Sequence, residues 1–112
     1  MIAMIKAEIF RNKKGHIYGF SIKDHGESIV CSAVSVLALN TVNSIERFTD
    51  EDFSCIADEK NGGILRIEIP SVREGKDIHD IDLLFNSLLL GLSDIEKEYS
   101  AEIKLIDKNK SI

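Results

Sequence analysis

The spacing of apolar residues changes along this chain from strand-like to helix-like and back, and that change constrains the fold more than any other feature. Near the N-terminus apolar and polar residues alternate, as on a half-buried strand. Over residues 29–47 and again over 78–95 the apolar residues recur at steps of three and four, as on one face of a helix. Further alternating segments lie between and after these two helices, so the sequence predicts the order ββαββαβ.

The strand-like segments cover residues 5–9, 18–22, 53–58, 64–69 and 101–107. A turn over residues 11–15 joins the first two, which we expect to form a hairpin. Ser28, or Glu27 before it, is the expected start of the first helix. Pro70 is expected to end the fourth strand because it lacks an amide donor, with a polar connection over residues 71–76. We therefore predict one domain over residues 1–112, of the α/β (α+β) class, with a mainly antiparallel or mixed sheet packed with two helices.

Composition and charge exclude several classes of protein. The 112 residues are 44% hydrophobic and 29% charged, which is typical of a globular core and not of a disordered chain. A formal charge of -5 disfavours general binding to nucleic acid or to anionic membranes. No uninterrupted apolar run approaches the roughly 18 residues of a membrane span, and charge comes too early in the chain for a signal peptide. We expect a cytoplasmic protein with no direct nucleic-acid or membrane partner.

The two cysteines, Cys31 and Cys55, form no CxxC pair and have no metal-type spacing. A disulfide framework or a structural zinc site therefore has little support, and no metal or cofactor is expected. Cys55 alternates with apolar neighbours in a predicted strand, which favours a place in the core. Any cysteine chemistry would use a free thiol.

The second predicted helix is apolar on more than one face. Leu83, Leu89 and Leu90 lie outside its main apolar stripe. When the apolar face of a helix is wider than one sheet can cover, the remaining apolar residues are expected to contact a second chain or another helix. From this pattern we predict a homodimer.

Cys31 is predicted in the first turn of the first helix, at the edge of its apolar stripe. The partial positive charge and free amides of a helix N-terminus favour thiolate, and an edge position permits exposure to a cleft. His25 precedes Cys31 by six residues, with Gly26 between them to ease a bend, so the imidazole could reach the sulfur. Ser35, one turn later, could donate a hydrogen bond. The alternative from spacing alone is an inert buried cysteine, a solvated histidine and a solvated serine.

Two separated segments resemble one family, the ribosomal-processing cysteine proteases called Prp. Residues 29–35 read Ile-Val-Cys-Ser-Ala-Val-Ser, which is similar to the family's Asp-x-Val-Cys-Ala-Ala-Val-Ser motif at the start of its first helix. Residues 89–99 contain a Gly-Leu step, an apolar residue and a final tyrosine, as in the family's second helix. The histidine departs from the pattern, since it lies in Asp-His-Gly instead of Gly-His-Ala and closer to the cysteine.

The resemblance implies roles for the residues around Cys31. Cys31 would be the catalytic nucleophile and His25 its general base and acid. Ser28 occupies the place of the motif's aspartate, so Asp24 or Glu27 is the candidate to orient the histidine. Ser28, Ser35 and Asp24 are therefore possible supporting residues.

The resemblance also implies a function. Members are small α/β dimers that remove the N-terminal extension of bacterial large-subunit ribosomal protein twenty-seven, which supports ribosome assembly. This chain would then be a cysteine endopeptidase with a ribosomal protein precursor as its substrate, and its acidic surface would attract a basic protein. The alternative is a catalytically weak or inactive peptide-binding module of the same fold, associated with the ribosome.

Overall fold

The computed structural model describes residues 4–24, 28–58 and 63–108. In chain order its elements are β1 (Ile5–Arg11), β2 (Ile17–Lys23), α1 (Ile29–Phe48), β3 (Ser54–Asp58), β4 (Ile64–Glu68), α2 (Pro70–Arg73), α3 (His79–Glu98) and β5 (Ile103–Asp107). The predicted α+β class, the order of the strands and both long helices are confirmed.

The strands form one mixed sheet in the order β3-β4-β2-β1-β5. β1 pairs antiparallel with β2, as the predicted hairpin requires, and places Ile9 opposite Phe20. β5 returns after α3 to pair parallel with β1. Among the described strands, β3 therefore lies at one edge of the sheet and pairs with β4 alone, an arrangement that becomes important at the candidate site.

The short helix α2 was not predicted, and the assignment of residues 71–76 to a polar connection is wrong for its first half. Pro70 does end the strand, but it also begins a helical turn. Its fixed φ and missing N–H suit the first position of a helix, where the N–H would have no partner in the helix. The N–H of Arg73 donates to the carbonyl of Ile69 at 3.0 Å, and buried Val72 anchors the turn.

The core lies between the sheet and the two long helices. Helix α1 contributes fully buried side chains such as Val34, Ala38 and Ile45. From α3, Phe85 meets Phe20 of β2 edge to face, with ring centroids 6.2 Å apart. In the described ranges α1 is also the one helix long and apolar enough to cross a membrane. A helix that covers a sheet in a protein core passes the same test.

The apolar residues predicted outside the main stripe of α3 divide into two groups. Leu83 and Leu90 are 60% and 65% exposed. Leu89 instead packs partly buried against the core. On α1, Val36 is also exposed, at 66%. The helical layer therefore presents large apolar side chains to solvent.

Gly19 is required by a close approach between β2 and β4. A Cβ at this position would overlap the carbonyl oxygen of Ile67 and lie 3.1 Å from the Cα of Glu68. Both are backbone atoms, so relief needs movement of a strand. We expect Gly19→Ala to lower the free energy of unfolding by roughly 1–3 kcal/mol in urea denaturation.

A matched control lies on the same strand. Ser21 is 1% exposed, and its Oγ has no hydrogen-bond partner in the described part of the chain. Ser21→Ala removes a buried unpaired oxygen, so stability should stay equal or rise. A Gly19→Ala chain as stable as the parent would show that the strands can separate at no cost.

Candidate active site

Ser28 fixes the start of α1, as predicted. Its backbone is extended, and its Oγ accepts a hydrogen bond from the N–H of Cys31 at 3.0 Å. Serine and aspartate are both preferred at this cap position. Serine in place of the motif's aspartate therefore keeps the helix cap and removes a carboxylate charge.

Cys31 lies in the first turn of α1, as predicted, but its expected exposure at the edge of the helix is wrong. The residue is 2% exposed and belongs to the core cluster. The buried stripe of α1 runs through Cys31, Val34, Ala38 and Ile45, whereas Leu37 is only partly buried. This stripe is rotated toward Cys31 relative to the predicted one, so Cys31 lies within it.

Ser35 lies one turn beyond Cys31, and the structure brings the two side chains together. The distance from Cys31 Sγ to Ser35 Oγ is 4.0 Å, a long contact in which either atom can donate. Ser35 is half-buried. Within the described ranges, Ser28 and Ser35 are the residues whose side chains make polar contacts with Cys31.

Two of the N-terminal amides of α1 have no partner among the described residues. The N–H of Cys31 is taken by Ser28, and that of Ser32 donates to the Ser28 carbonyl. Among the described residues no acceptor is found for the N–H groups of Ile29 and Val30. Such amides at a helix N-terminus can stabilise a negatively charged oxygen.

The chain enters this site through Asp24. Its φ of 62° is left-handed, a conformation that aspartate tolerates better than most residues. Its N–H donates to the carbonyl of Gly63 at 3.0 Å, which ties the end of β2 to the start of β4. The predicted base, His25, and the candidate Glu27 lie outside the described residues, so their predicted roles stay predictions.

An open groove is lined in part by Ser35, the residue whose hydroxyl contacts the Cys31 thiol. It lies between α1 and the edge of the sheet formed by β3 and β4, has a volume of about 250 Å³, and is called here the α1–β3 groove. Its lining residues are mostly apolar: Ile22, Ser35, Ala38, Leu39, Ala57, Ile64 and Leu65. The sequence did not predict it, because its lining residues come from elements that are distant in the sequence.

Cys55 was predicted in the core, and that prediction is wrong because the residue is exposed. It lies on β3, the edge strand of the sheet that the described residues form. Alternation along a strand predicts burial only where the sheet continues and a helix covers it. Partial burial still raises the pKa of the Cys55 thiol.

The raised pKa of Cys55 predicts the rate at which its thiol is alkylated. A raised pKa means less thiolate at neutral pH, so iodoacetamide should react more slowly with the folded chain than with the urea-unfolded chain. The rate should rise with pH through a midpoint above that of the unfolded thiol. Mass spectrometry of a Cys31→Ala chain isolates the signal of Cys55. Equal midpoints for the two states would contradict this expectation.

The described residues contain no group of three or more histidine, cysteine, aspartate or glutamate side chains that could hold a metal ion. Around Cys31 these residues provide the thiol itself, the Ser35 hydroxyl against it, two helix N–H groups and an apolar groove that Ser35 lines. This set fits nucleophilic chemistry on an uncharged group such as a peptide carbonyl.

Comparison with known proteins agrees with this chemistry. The model of the family described as cysteine protease Prp matches residues 4–104. The ribosomal processing cysteine protease Prp of Staphylococcus aureus is 32% identical over 108 residues, which are 91% of this chain and 97% of that protein.

Solved structures have the same fold. The crystal structure of SMU.848 from Streptococcus mutans has a TM-score of 0.81 and 28% identity, and the match covers 94% of each chain. The essential ribosomal processing protease Prp from S. aureus, in complex with a covalently linked product peptide, has a TM-score of 0.80 and 26% identity. That match covers 94% of this chain and 100% of the other.

Proposed function

Since this chain belongs to the cysteine protease Prp family, we propose that it is an endopeptidase with Cys31 as nucleophile and His25 as general base and acid. The observation that carries the proposal is the place of Cys31. It lies in the capped first turn of α1, against Ser35, which lines the α1–β3 groove. Ser35 both contacts the sulfur and lines the groove, so a peptide in the groove would approach the thiol from this side.

The proposed reaction has two halves. In the first, His25 takes the thiol proton, the sulfur attacks the peptide carbonyl carbon, and the C–N bond then breaks as His25 returns the proton to the leaving amine. The amides of Ile29 and Val30 are the proposed donors to the oxyanion, because Ser28 already occupies the N–H of Cys31. In the second half, water hydrolyses the thioester and restores the thiol.

We propose the N-terminal extension of large-subunit ribosomal protein twenty-seven as the substrate. The support is the name of the S. aureus relative, a ribosomal processing protease, and its complex with a peptide product. A net charge of -5 suits a basic ribosomal protein. The test is incubation with the host's own precursor: intact-mass measurement should show loss of an N-terminal segment, and an unchanged mass would reject the proposal.

A catalytically weak peptide-binding module is the second candidate. It is favoured by the burial of Cys31 and by Ser28 in place of a carboxylate that could orient the histidine. Such a module would bind the precursor without shortening it. Binding and cleavage measured on the same sample therefore separate the two candidates.

We also propose a cytoplasmic homodimer. The support is the exposed apolar surface of Val36, Leu83 and Leu90, which a second copy would cover. Sedimentation at tens of micromolar, where a micromolar dimer is populated, should show twice the mass of the chain. A single monomeric species would contradict it.

A further inference from the structure

We propose that an extended segment of the substrate peptide pairs with the outer edge of β3 as a sixth strand and places an apolar side chain in the α1–β3 groove. This inference rests on the proposed function, because it names how the same site holds its substrate. It adds a binding surface outside the catalytic residues.

The first support is the state of β3. Among the strands of the described residues, β4 is the one that pairs with it, over five residue pairs from Ser54–Glu68 to Asp58–Ile64 in regular register. Four of its five residues are exposed. Over residues 54–57 the outer edge presents backbone N–H and C=O groups that no strand of the described ranges pairs with, and β3 has neither the proline nor the bulge that commonly blocks such an edge.

The second support is that the edge of β3 and the α1–β3 groove are continuous. Ala57 of β3 forms one wall of the groove, and Ser35, which contacts Cys31, forms part of the opposite wall. Added strands bind through their backbone, while alternate side chains enter pockets. A peptide paired with β3 would thus direct every second side chain toward α1.

The third support is the size and character of the groove. Its volume is about 250 Å³ and its walls are mostly aliphatic. An apolar cavity of roughly 150 Å³ accommodates benzene, so an aromatic or large aliphatic side chain fits here. The occupant is therefore an extended peptide with an apolar side chain near the cleaved bond.

Backbone methylation of the peptide tests the pairing without changing the protein. The probe is a fluorescein-labelled peptide that copies the N-terminal segment of the host's ribosomal protein precursor, titrated against the Cys31→Ala chain by anisotropy. A series of peptides carries one N-methyl amide each, which removes one donor and adds bulk. Methylation at every second position should raise Kd roughly tenfold, with little change at the positions between. A series with no alternating pattern would overturn the proposal.

Two substitutions on adjacent residues test the groove. Ala57 faces the α1 side of the sheet with Cys55, whereas Ile56 faces the opposite side. Ala57→Trp should fill the groove and raise Kd roughly tenfold, while Ile56→Trp places the same indole on the other face and should change Kd little. Equal effects of the two substitutions would overturn the proposal.

The remaining outcomes are also decisive. If the unmethylated peptide does not bind, the proposal is overturned. If Ala57→Trp also halves the sedimenting mass, a second copy of the chain occupies the outer edge of β3. The alternating pattern together with no cleavage by the parent chain supports this inference and contradicts the proposed protease. Cleavage together with a uniform methylation series overturns only this inference.

Discussion

Replacing Cys31 by alanine is expected to abolish proteolysis, with a fall in rate of roughly four to six orders of magnitude. Alanine has no lone pair to attack the peptide carbonyl, and in the described residues around Cys31 the neighbouring groups are the hydroxyls of Ser28 and Ser35. Among the described residues no basic side chain contacts either hydroxyl. The measurement is cleavage of the ribosomal protein precursor, followed by intact mass.

The same substitution should leave a folded chain. Cys31 is 2% exposed, so loss of its sulfur removes some packing, about 1 kcal/mol by analogy with small truncations in cores. The Ser28 cap uses the backbone N–H of residue 31, which alanine retains. Cys55→Ala is the matched control for loss of a thiol: Cys55 does not line the α1–β3 groove, and alanine keeps the backbone of β3, so the substitution should change neither cleavage nor stability. Turnover retained in Cys31→Ala would end the protease interpretation.

The parts of the fold that the sequence predicted are those that local spacing determines. Both long helices follow from three- and four-residue apolar steps, and Ser28 is a preferred cap residue before the first of them. The short helix α2 was missed because four residues are too few to show a period. Pro70 fits both the end of a strand and the start of a helix, so the residue alone does not decide between them.

The errors at the candidate site have a different origin, since they depend on tertiary arrangement. Cys55 alternates with apolar residues like a buried strand residue, yet the sheet order leaves β3 at the edge. The burial of Cys31 depends on which face of α1 packs on the sheet. The apolar stripe predicted through Val34 and Leu37 did not determine that rotation. The α1–β3 groove requires elements distant in sequence, so no local pattern specifies it.

Replacing His25 by alanine is the second large expected effect. In the described part of the chain, the polar side-chain contacts of Cys31 come from Ser28 and Ser35, and neither hydroxyl is a base near neutral pH. The thiol proton must therefore pass to another group, and His25 lies in the connection from β2 to α1 that leads into the helix. Loss of general acid–base catalysis should lower kcat/KM by roughly 10²–10⁴.

Three comparisons make this expectation specific to proton transfer. His79→Ala changes an exposed histidine at the start of α3 and should leave kcat/KM unchanged. Added imidazole should restore part of the activity of the His25→Ala chain, because a free base can replace a missing side chain, but it cannot repair a misfolded site. Peptide affinity measured in the Cys31→Ala background should change little when His25 is also replaced. If His25→Ala retains the parent kcat/KM, the base is another group and the assignment of the dyad is wrong.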